Sequence, residues 1–227
     1  MKQMNRSTRL LTLTAAFIAS MLFSAVSFAA DGSKLKPPPG ARVAIVVFED
    51  LECPTCAAVY PKVWEAGKAH NVAVVLHDYP LANHPWSFDA AVFARYFDTK
   101  SQQMGNDFRG YIYKNQQQID KQNLRQWVDK FAGDNKAPLP FVFDSDGQLR
   151  AKVIADRDMG NQMGLQHTPT IFVIGNGGAA TPPIEVDDYS KLDQFIEEML
   201  QKSPAPASTP AKKAAPKKAP AKKPAQQ

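Results

Sequence analysis

Residues 42–56 read RVAIVVFEDLECPTC, an apolar β-branched run that is followed closely by two cysteines. The first part is typical of a strand buried on both faces. From Pro54 to His70 the apolar residues recur at helical spacing, and proline suits a first helical turn because its missing N–H costs nothing there. Cys53 therefore falls where a strand gives way to a helix. Unpaired N–H groups and the positive end of the helix dipole favour a thiolate at that position.

The spacing of the two cysteines indicates a chemistry. Cys53 and Cys56 are the only cysteines among 227 residues. Thiolate is the species that attacks disulfides, so the motif favours thiol–disulfide exchange. A purely structural disulfide is the first alternative, but so short a loop gives little entropic stabilisation. A zinc site is the second, and it needs two more ligands, for which His77 and His84 are the only tempting pair. We expect no metal.

The first 29 residues are typical of a secretory signal. Basic residues precede an apolar run from Leu10 to Phe28, and Ser27 and Ala29 are the small residues that a signal peptidase inspects. We expect cleavage after Ala29 and an exported, periplasmic protein; a retained membrane anchor is the alternative. An exported chain with a single CxxC has no structural disulfide framework, which leaves its sulfur for reactivity or metal.

The other end, residues 203–227, contains almost only Ala, Pro, Lys, Ser, Thr and Gln. It has no large apolar side chain to offset ordering entropy, so we expect a disordered Lys/Pro/Ala-rich tail. Of the 27 basic residues, three lie in 1–29 and six in 203–227, which leaves 18 against all 22 acidic residues and a net charge of −4 for residues 30–202. We therefore expect no nucleic-acid binding by the body, and we expect the tail either to contact an anionic envelope surface or only to solubilise the protein.

The remaining chain predicts one α/β domain. Residues 30–40, with three consecutive prolines, predict a linker, and residues 41–202 predict the domain. Strands are expected at 42–48, 72–79 and 170–174 with a hairpin partner at 184–186, and a closing helix at 189–200. Helical patterns at 86–97, 106–118, 123–131 and 149–163 separate the second strand from the third. They predict a helical insertion at about 86–163.

This order resembles the DsbA-like branch of the thioredoxin superfamily, the exported thiol–disulfide oxidoreductases. The stretches that carry the resemblance are FEDLECPTC at 48–56, DYPL at 78–81, HP at 84–85, DAA at 89–91 and GLQHTPT at 164–170. The closing hairpin and helix complete the pattern, so the resemblance covers roughly residues 40–201. It implies a thioredoxin-like fold with a helical insertion, and a catalyst that needs no cofactor beyond a Cys53–Cys56 redox disulfide.

The resemblance also implies roles for single residues. Cys53 is the exposed nucleophile that forms a mixed disulfide with a protein substrate, and Cys56 is the resolving thiol. Pro54 and Thr55 tune the thiolate. Thr168 and a cis Pro169 lie beside the disulfide and offer backbone for pairing with a substrate strand.

Two positions depart from the family pattern. The family often has a buried carboxylate six residues before the first cysteine, where this chain has Val47; Glu49, Asp50 and Glu52 lie at other offsets. A glycine is common two residues before the cis-proline, where this chain has His167. We expect His167 to tune the site, because a protonated imidazole there would stabilise the Cys53 thiolate.

Three functions remain open from the sequence. The first is an exported oxidase that gives its disulfide to folding proteins and is reoxidised by a membrane partner of the DsbB or vitamin K epoxide reductase type. The second is an exported reductase or isomerase. The third is a non-catalytic envelope-binding protein that uses the basic tail. Loss of function in Cys53→Ser would favour the enzymes, and loss on deletion of residues 203–227 would favour the third.

Overall fold

A computed structural model describes residues 30–205. The predicted signal peptide and most of the predicted tail lie outside these described residues. The strands are β1 Val43–Glu49, β2 Ala73–Asp78, β3 Thr170–Gly175 and β4 Ile184–Glu185. The helices are α1 Pro54–Ala69, α2 Ser87–Asp98, α3 Gln102–Asn115, α4 Leu124–Asp134, α5 Gln148–Gln162 and α6 Leu192–Lys202.

The four strands form one sheet in the order β2-β1-β3-β4. β1 is parallel to β2, with Val46 opposite Val75, and antiparallel to β3, with Val46 also opposite Phe172. β4 is a short antiparallel neighbour of β3. The helices α2 to α5 all fall between β2 and β3 in the chain. The predicted α/β fold, with parallel first strands, a closing hairpin and a helical insertion, is confirmed.

The side chains of β1 point alternately to the two faces of the sheet, and each face has a separate hydrophobic core. Val43, Ile45 and Val47 pack with residues of α1 and α6 on one face. Ala44, Val46 and Phe48 contribute to the core on the other face. Because side chains alternate along a strand, Glu49 continues the face of Val47 and lies toward α1.

The insertion forms a third core of its own. Phe97, Phe108 and Phe131 contact one another through their rings, which fixes α2, α3 and α4 together. Cys53 and Cys56 belong to the same buried cluster. The two cysteines therefore lie between the end of the sheet and the inserted helices.

Two helices begin at least three residues away from the sequence expectation, each for a local reason. α3 begins at Gln102 rather than at residue 106, because the Ser101 hydroxyl accepts the N–H of Met104 and caps the helix. The closing helix begins at Leu192, since residues 189–191 form a 3₁₀ turn.

Both ends of the described chain contact the body. The N–H of Asp31 donates to the Met163 carbonyl, within the stretch that the prolines predict as a linker. At the other end Ser203 is buried, and the Arg42 guanidinium donates to the carbonyls of Leu200 and Ser203. Ordered contacts thus continue to residue 203, the first residue of the predicted tail.

Within residues 30–205, none of the helices combines the length and the apolar character needed to cross a bilayer.

Candidate active site

Cys53 is the N-cap residue of α1, with extended backbone angles, and Pro54 is the first residue of the helix. Its side chain is 6% exposed, and its sulfur lies 3.3 Å from the Thr168 carbonyl oxygen. The expectation of an exposed nucleophile is therefore corrected. The loop before β3 lies against the sulfur, so a substrate has to approach past Thr168.

The surroundings of Cys53 favour its thiolate. A hydrogen bond from Cys56 lowers the pKa of Cys53 to about 5, against the opposing effect of burial. The Thr168 side chain and the backbone N–H groups of Cys56 and Thr55 act in the same direction as that bond. Among the described residues the buried Thr168 hydroxyl has no hydrogen-bond partner, which leaves it available to donate to the thiolate. Pro54 has no N–H to contribute.

Cys56 has the opposite character. It lies one turn further along α1, is 3% exposed, and accepts the backbone N–H of Asp50 at 3.4 Å. Burial raises the pKa of Cys56 far above its ordinary value. The site therefore pairs a sulfur that ionises readily with a sulfur that keeps its proton.

The Asp50 carboxylate holds the loop that leads into the motif. It accepts the N–H groups of Glu52 and Leu81 and the hydroxyl of Ser87, and it lies 2.8 Å from His84 Nδ1. These four partners occupy both oxygens of a fully buried group. Residues 50–53, called the redox loop below, are thereby fixed to the segment that enters the insertion.

Two further side chains connect the redox loop to the insertion. Glu52 accepts the N–H groups of Trp86 and Ser87, and so caps the start of α2. The Gln116 amide donates to the carbonyls of Leu51 and Cys53, at 2.9 and 3.1 Å. Sequence reasoning missed Gln116, because nothing in a three-glutamine run distinguishes the residue that reaches the motif.

Glu49, which the sequence showed only as an acid at another offset, is the second group whose place in the site sequence reasoning missed. It is 3% exposed, and its Oε2 accepts the Tyr113 hydroxyl at 3.0 Å. Arg109 Nε lies 3.0 Å from its Oε1, in a charge contact that is not aligned as a hydrogen bond. Burial raises the pKa of Glu49 to about 7, against the lowering effect of Arg109. The period-two pattern of β1 was the available signal, since it places Val47 and Glu49 on one face.

The loop before β3 brings the predicted substrate-binding residues to the cysteines. The Thr168–Pro169 peptide bond is cis, and the Tyr189 hydroxyl donates to the Pro169 carbonyl. The His167 side chain is exposed, and among the described residues it makes no hydrogen bond or ion pair to either sulfur. The tuning role of His167 stays a prediction.

The histidines considered as zinc ligands have other partners. His77 Nδ1 lies 2.8 Å from Asp156, and His84 Nδ1 faces Asp50. In the described part of the chain, no group of three or more His, Cys, Asp or Glu side chains is arranged to hold a metal ion. The site's donors are committed to protein contacts instead.

The family model for Thioredoxin matches residues 38–198, which includes every strand and helix described above except the last turn of α6. The chain belongs to the thioredoxin family. This match confirms the predicted thioredoxin superfamily, and solved structures of DsbA-type proteins share its fold.

Three solved structures illustrate the likeness of this thioredoxin-family chain. Wolbachia pipientis alpha-DsbA1 is 16% identical with a TM-score of 0.57, over 73% of this chain and 88% of that one. Pseudomonas aeruginosa DsbA2 is 18% identical with a TM-score of 0.52, over 72% and 91%. Proteus mirabilis ScsC is 16% identical with a TM-score of 0.58, over 74% and 71%. At these identities the likeness concerns the fold. No curated protein sequence matches the chain.

Proposed function

We propose that this thioredoxin-family protein is an exported thiol–disulfide oxidoreductase of the DsbA type, and that it acts as a disulfide donor. The observation that carries the proposal is the contrast between Cys53, whose pKa is lowered to about 5, and the buried, protonated Cys56. A stabilised thiolate stabilises the reduced enzyme, and this makes its disulfide more oxidising. The relationship to DsbA-like folds supports the same class of activity.

The exchange involves four sulfur atoms. A substrate thiolate attacks Cys53 of the Cys53–Cys56 disulfide, the bond between the two enzyme sulfurs breaks, and Cys56 takes up a proton as it leaves. A second substrate thiolate then attacks the substrate sulfur of the mixed disulfide, and Cys53 leaves as a thiolate. The substrate is oxidised to a disulfide and the enzyme is reduced. Burial of Cys53 against Thr168 supports docking of an extended substrate segment beside Pro169, where backbone groups can pair with it.

Turnover as an oxidase needs an electron acceptor. We assign this role to a membrane partner of the DsbB or vitamin K epoxide reductase type, and the assignment follows from the oxidising direction. Export follows from the signal-like residues 1–29, which lie outside the described residues. A reductase or isomerase fed with electrons is the alternative for the same site.

The redox potential tests the direction of exchange. In protein that consists of residues 30–227, we expect the Cys53–Cys56 disulfide to equilibrate with glutathione. Its reduction potential should be close to that of DsbA, about −120 mV, because the Cys53 thiolate is stabilised. Cys53→Ser should abolish both the equilibrium and the reduction of insulin disulfides. A potential near the about −270 mV of thioredoxin would contradict the oxidase and support the reductase.

We also propose that the Lys-rich residues 206–227 contact anionic envelope lipid. The support for this role is their amino-acid composition and positive charge. This segment contains six lysines and no acidic residue. Each lysine near an anionic membrane surface contributes about 1 kcal/mol to the binding free energy. The protein without its signal should therefore sediment with vesicles rich in anionic lipid at low salt but not with zwitterionic vesicles. Deletion of 206–227 should remove binding and leave exchange with a soluble disulfide intact. Binding that survives the deletion would contradict this assignment.

A further inference from the structure

A small cavity lies beside Cys56, between the sheet, α1, the insertion and the loop of Pro169. Its volume is about 10 Å³, close to the minimum that holds one water molecule. Its lining brings together groups from the sheet, from α1 and from the insertion: Val47, Glu49, Cys56, Val59, Tyr60, Val63, Leu76, Tyr113 and Pro169. Glu49 is the only carboxylate in this lining.

The chemistry of Cys56 creates a need for such a group. Its sulfur has to lose a proton each time it attacks the mixed disulfide, and has to regain one each time it leaves. Since Cys56 is 3% exposed and Cys53 stands between it and the substrate, bulk water has poor access to that proton. A buried acid–base group on the same cavity removes this obstacle.

Glu49 is suited to the exchange by its surroundings. The charged and titratable groups around it are Arg109 and Tyr113 from α3, Arg95 from α2, Asp78 from β2, and Cys56 and Tyr60 from α1. Burial and the Asp78 charge favour its neutral form, whereas Arg109, Arg95 and the Tyr113 hydroxyl favour the carboxylate. These opposing effects bring the pKa of Glu49 to about 7, where it can both accept and return a proton near neutral pH.

We propose that Glu49 exchanges the proton of Cys56 across this cavity, with Tyr113 of the insertion as its positioning residue. The inference rests on the proposed thiol–disulfide exchange but not on its direction. In resolution, the proton leaves Cys56 Sγ for a Glu49 oxygen, and the sulfur electron pair attacks Cys53 Sγ. The bond between Cys53 and the substrate sulfur breaks, and the substrate leaves as a thiolate. In the oxidase direction Glu49 returns the proton to the departing Cys56.

The position of this group is particular to this chain. Val47 occupies the site where the resembling family often has its carboxylate, and Glu49 lies two residues later on the same face of β1. The two groups that hold Glu49 both come from α3, at Arg109 and Tyr113. The insertion thus contributes to proton handling here as well as to the fold.

The reaction of the reduced protein with Ellman's reagent separates the two steps. Cys53 attacks first and releases one thionitrobenzoate; Cys56 then resolves the mixed disulfide and releases a second. We expect Glu49→Gln to leave the first release unchanged and to slow the second by about 10²-fold at pH 7. The second rate should level off above neutral pH in the wild type, and should keep rising with hydroxide concentration in the variant.

A matched control is Glu65→Gln, which removes an exposed carboxylate of α1 outside the cavity and should leave both releases unchanged. Tyr113→Phe keeps the ring but removes the hydroxyl that lowers the pKa of Glu49. The midpoint of the second-release profile should therefore move to higher pH, a shift that loss of packing alone would not produce. If Glu49→Gln does not fold, this shift decides the question.

The experiment distinguishes failure of the proposed function from failure of the role of Glu49. If the wild type gives no fast first release and no second release, the proposed function itself is wrong. If the wild type gives both releases, and Glu49→Gln resolves within about twofold of it at every pH, the exchange stands and the role of Glu49 is wrong. An unshifted midpoint in Tyr113→Phe overturns the role of Tyr113.

Discussion

At the scale of single residues, one helical turn separates two thiols of opposite acidity. Cys53 is the N-cap of α1 and is stabilised as a thiolate by Cys56, Thr168 and backbone N–H groups. Cys56 is enclosed by the sheet and the insertion, where burial favours the neutral thiol. The division into nucleophile and resolving thiol is therefore a consequence of position on the helix.

The acidity of Cys53 predicts how stability depends on pH. Its pKa falls from 9.0 to about 5 on folding, so above pH 5 this thiol binds fewer protons in the folded chain than in the unfolded one. Cys53 should therefore contribute a rise of roughly 1.4 kcal/mol per pH unit to the free energy of unfolding of the reduced protein between about pH 5 and pH 8. Glu49, whose pKa is raised to about 7, contributes a slope of opposite sign below about pH 7. Urea titrations of the reduced protein measure this slope.

Two comparisons isolate that contribution from other titrating groups. The Cys53 contribution should be absent from reduced Cys53→Ser, which has no thiol at this position, and from the oxidised protein, in which Cys53 does not ionise. Equal slopes for the wild type and the serine variant would contradict the lowered pKa of Cys53.

Sequence alone predicted the residues whose role is local. The motif from Cys53 to Cys56 has its strand and helix next to it in the chain, so pattern and propensity are sufficient. Glu49 was visible as an acid at an unexpected offset, but its role depends on Tyr113 and Arg109, at least 60 positions away. No local pattern encodes such a contact.

At the scale of elements, the redox loop is a joint between the sheet and the insertion. Asp50 accepts from Leu81 and Ser87, Glu52 caps α2, and Gln116 reaches the loop from the end of α3. Periodicity in the sequence predicted which segments are strands and which are helices. It did not predict this joint, because the joint consists of hydrogen bonds from side chains to the backbone of distant segments.

The cap of α2 predicts a modest loss of stability when Glu52 is replaced. Glu52→Ala removes the acceptor for the N–H groups of Trp86 and Ser87, so the free energy of unfolding should fall by about 1 kcal/mol. Glu52→Gln keeps an acceptor oxygen and should lose less. Chemical denaturation of both variants gives the comparison, and equal losses would show that charge, and not the cap, is what Glu52 contributes.

At the scale of the whole molecule, a buried charge cluster lies between the sheet and the insertion. Arg109 pairs with both oxygens of Asp98 at 2.8 and 3.0 Å and contacts Glu49, while Asp78 is paired with Arg95. Buried charges of this kind are costly to separate but are weak evidence for net stabilisation. The cluster fixes how the insertion is oriented on the sheet.

Removal of the central cation should be far more damaging than removal of a surface cation. Arg109→Ala removes the guanidinium that pairs with Asp98 and lies against the buried Glu49, and it should lower the free energy of unfolding by about 3–5 kcal/mol. Arg125→Ala breaks an exposed pair with Asp129 and should cost about 0.5 kcal/mol or less. Urea unfolding midpoints measure both, and a similar small loss for the two variants would contradict a structural role for the cluster.

The contact between Arg42 and the carbonyls of Leu200 and Ser203 bears on how the protein can be handled as a reagent. Gly175, next to this contact in space, pairs with Val43 at the start of β1, whereas the redox loop follows the end of β1. A seven-residue strand spans about 20 Å, so a support or fluorophore coupled after residue 203 would be attached at the pole remote from Cys53. Beads loaded through the C-terminus should present the Cys53 end of the molecule outward and keep the exchange rate of the free protein.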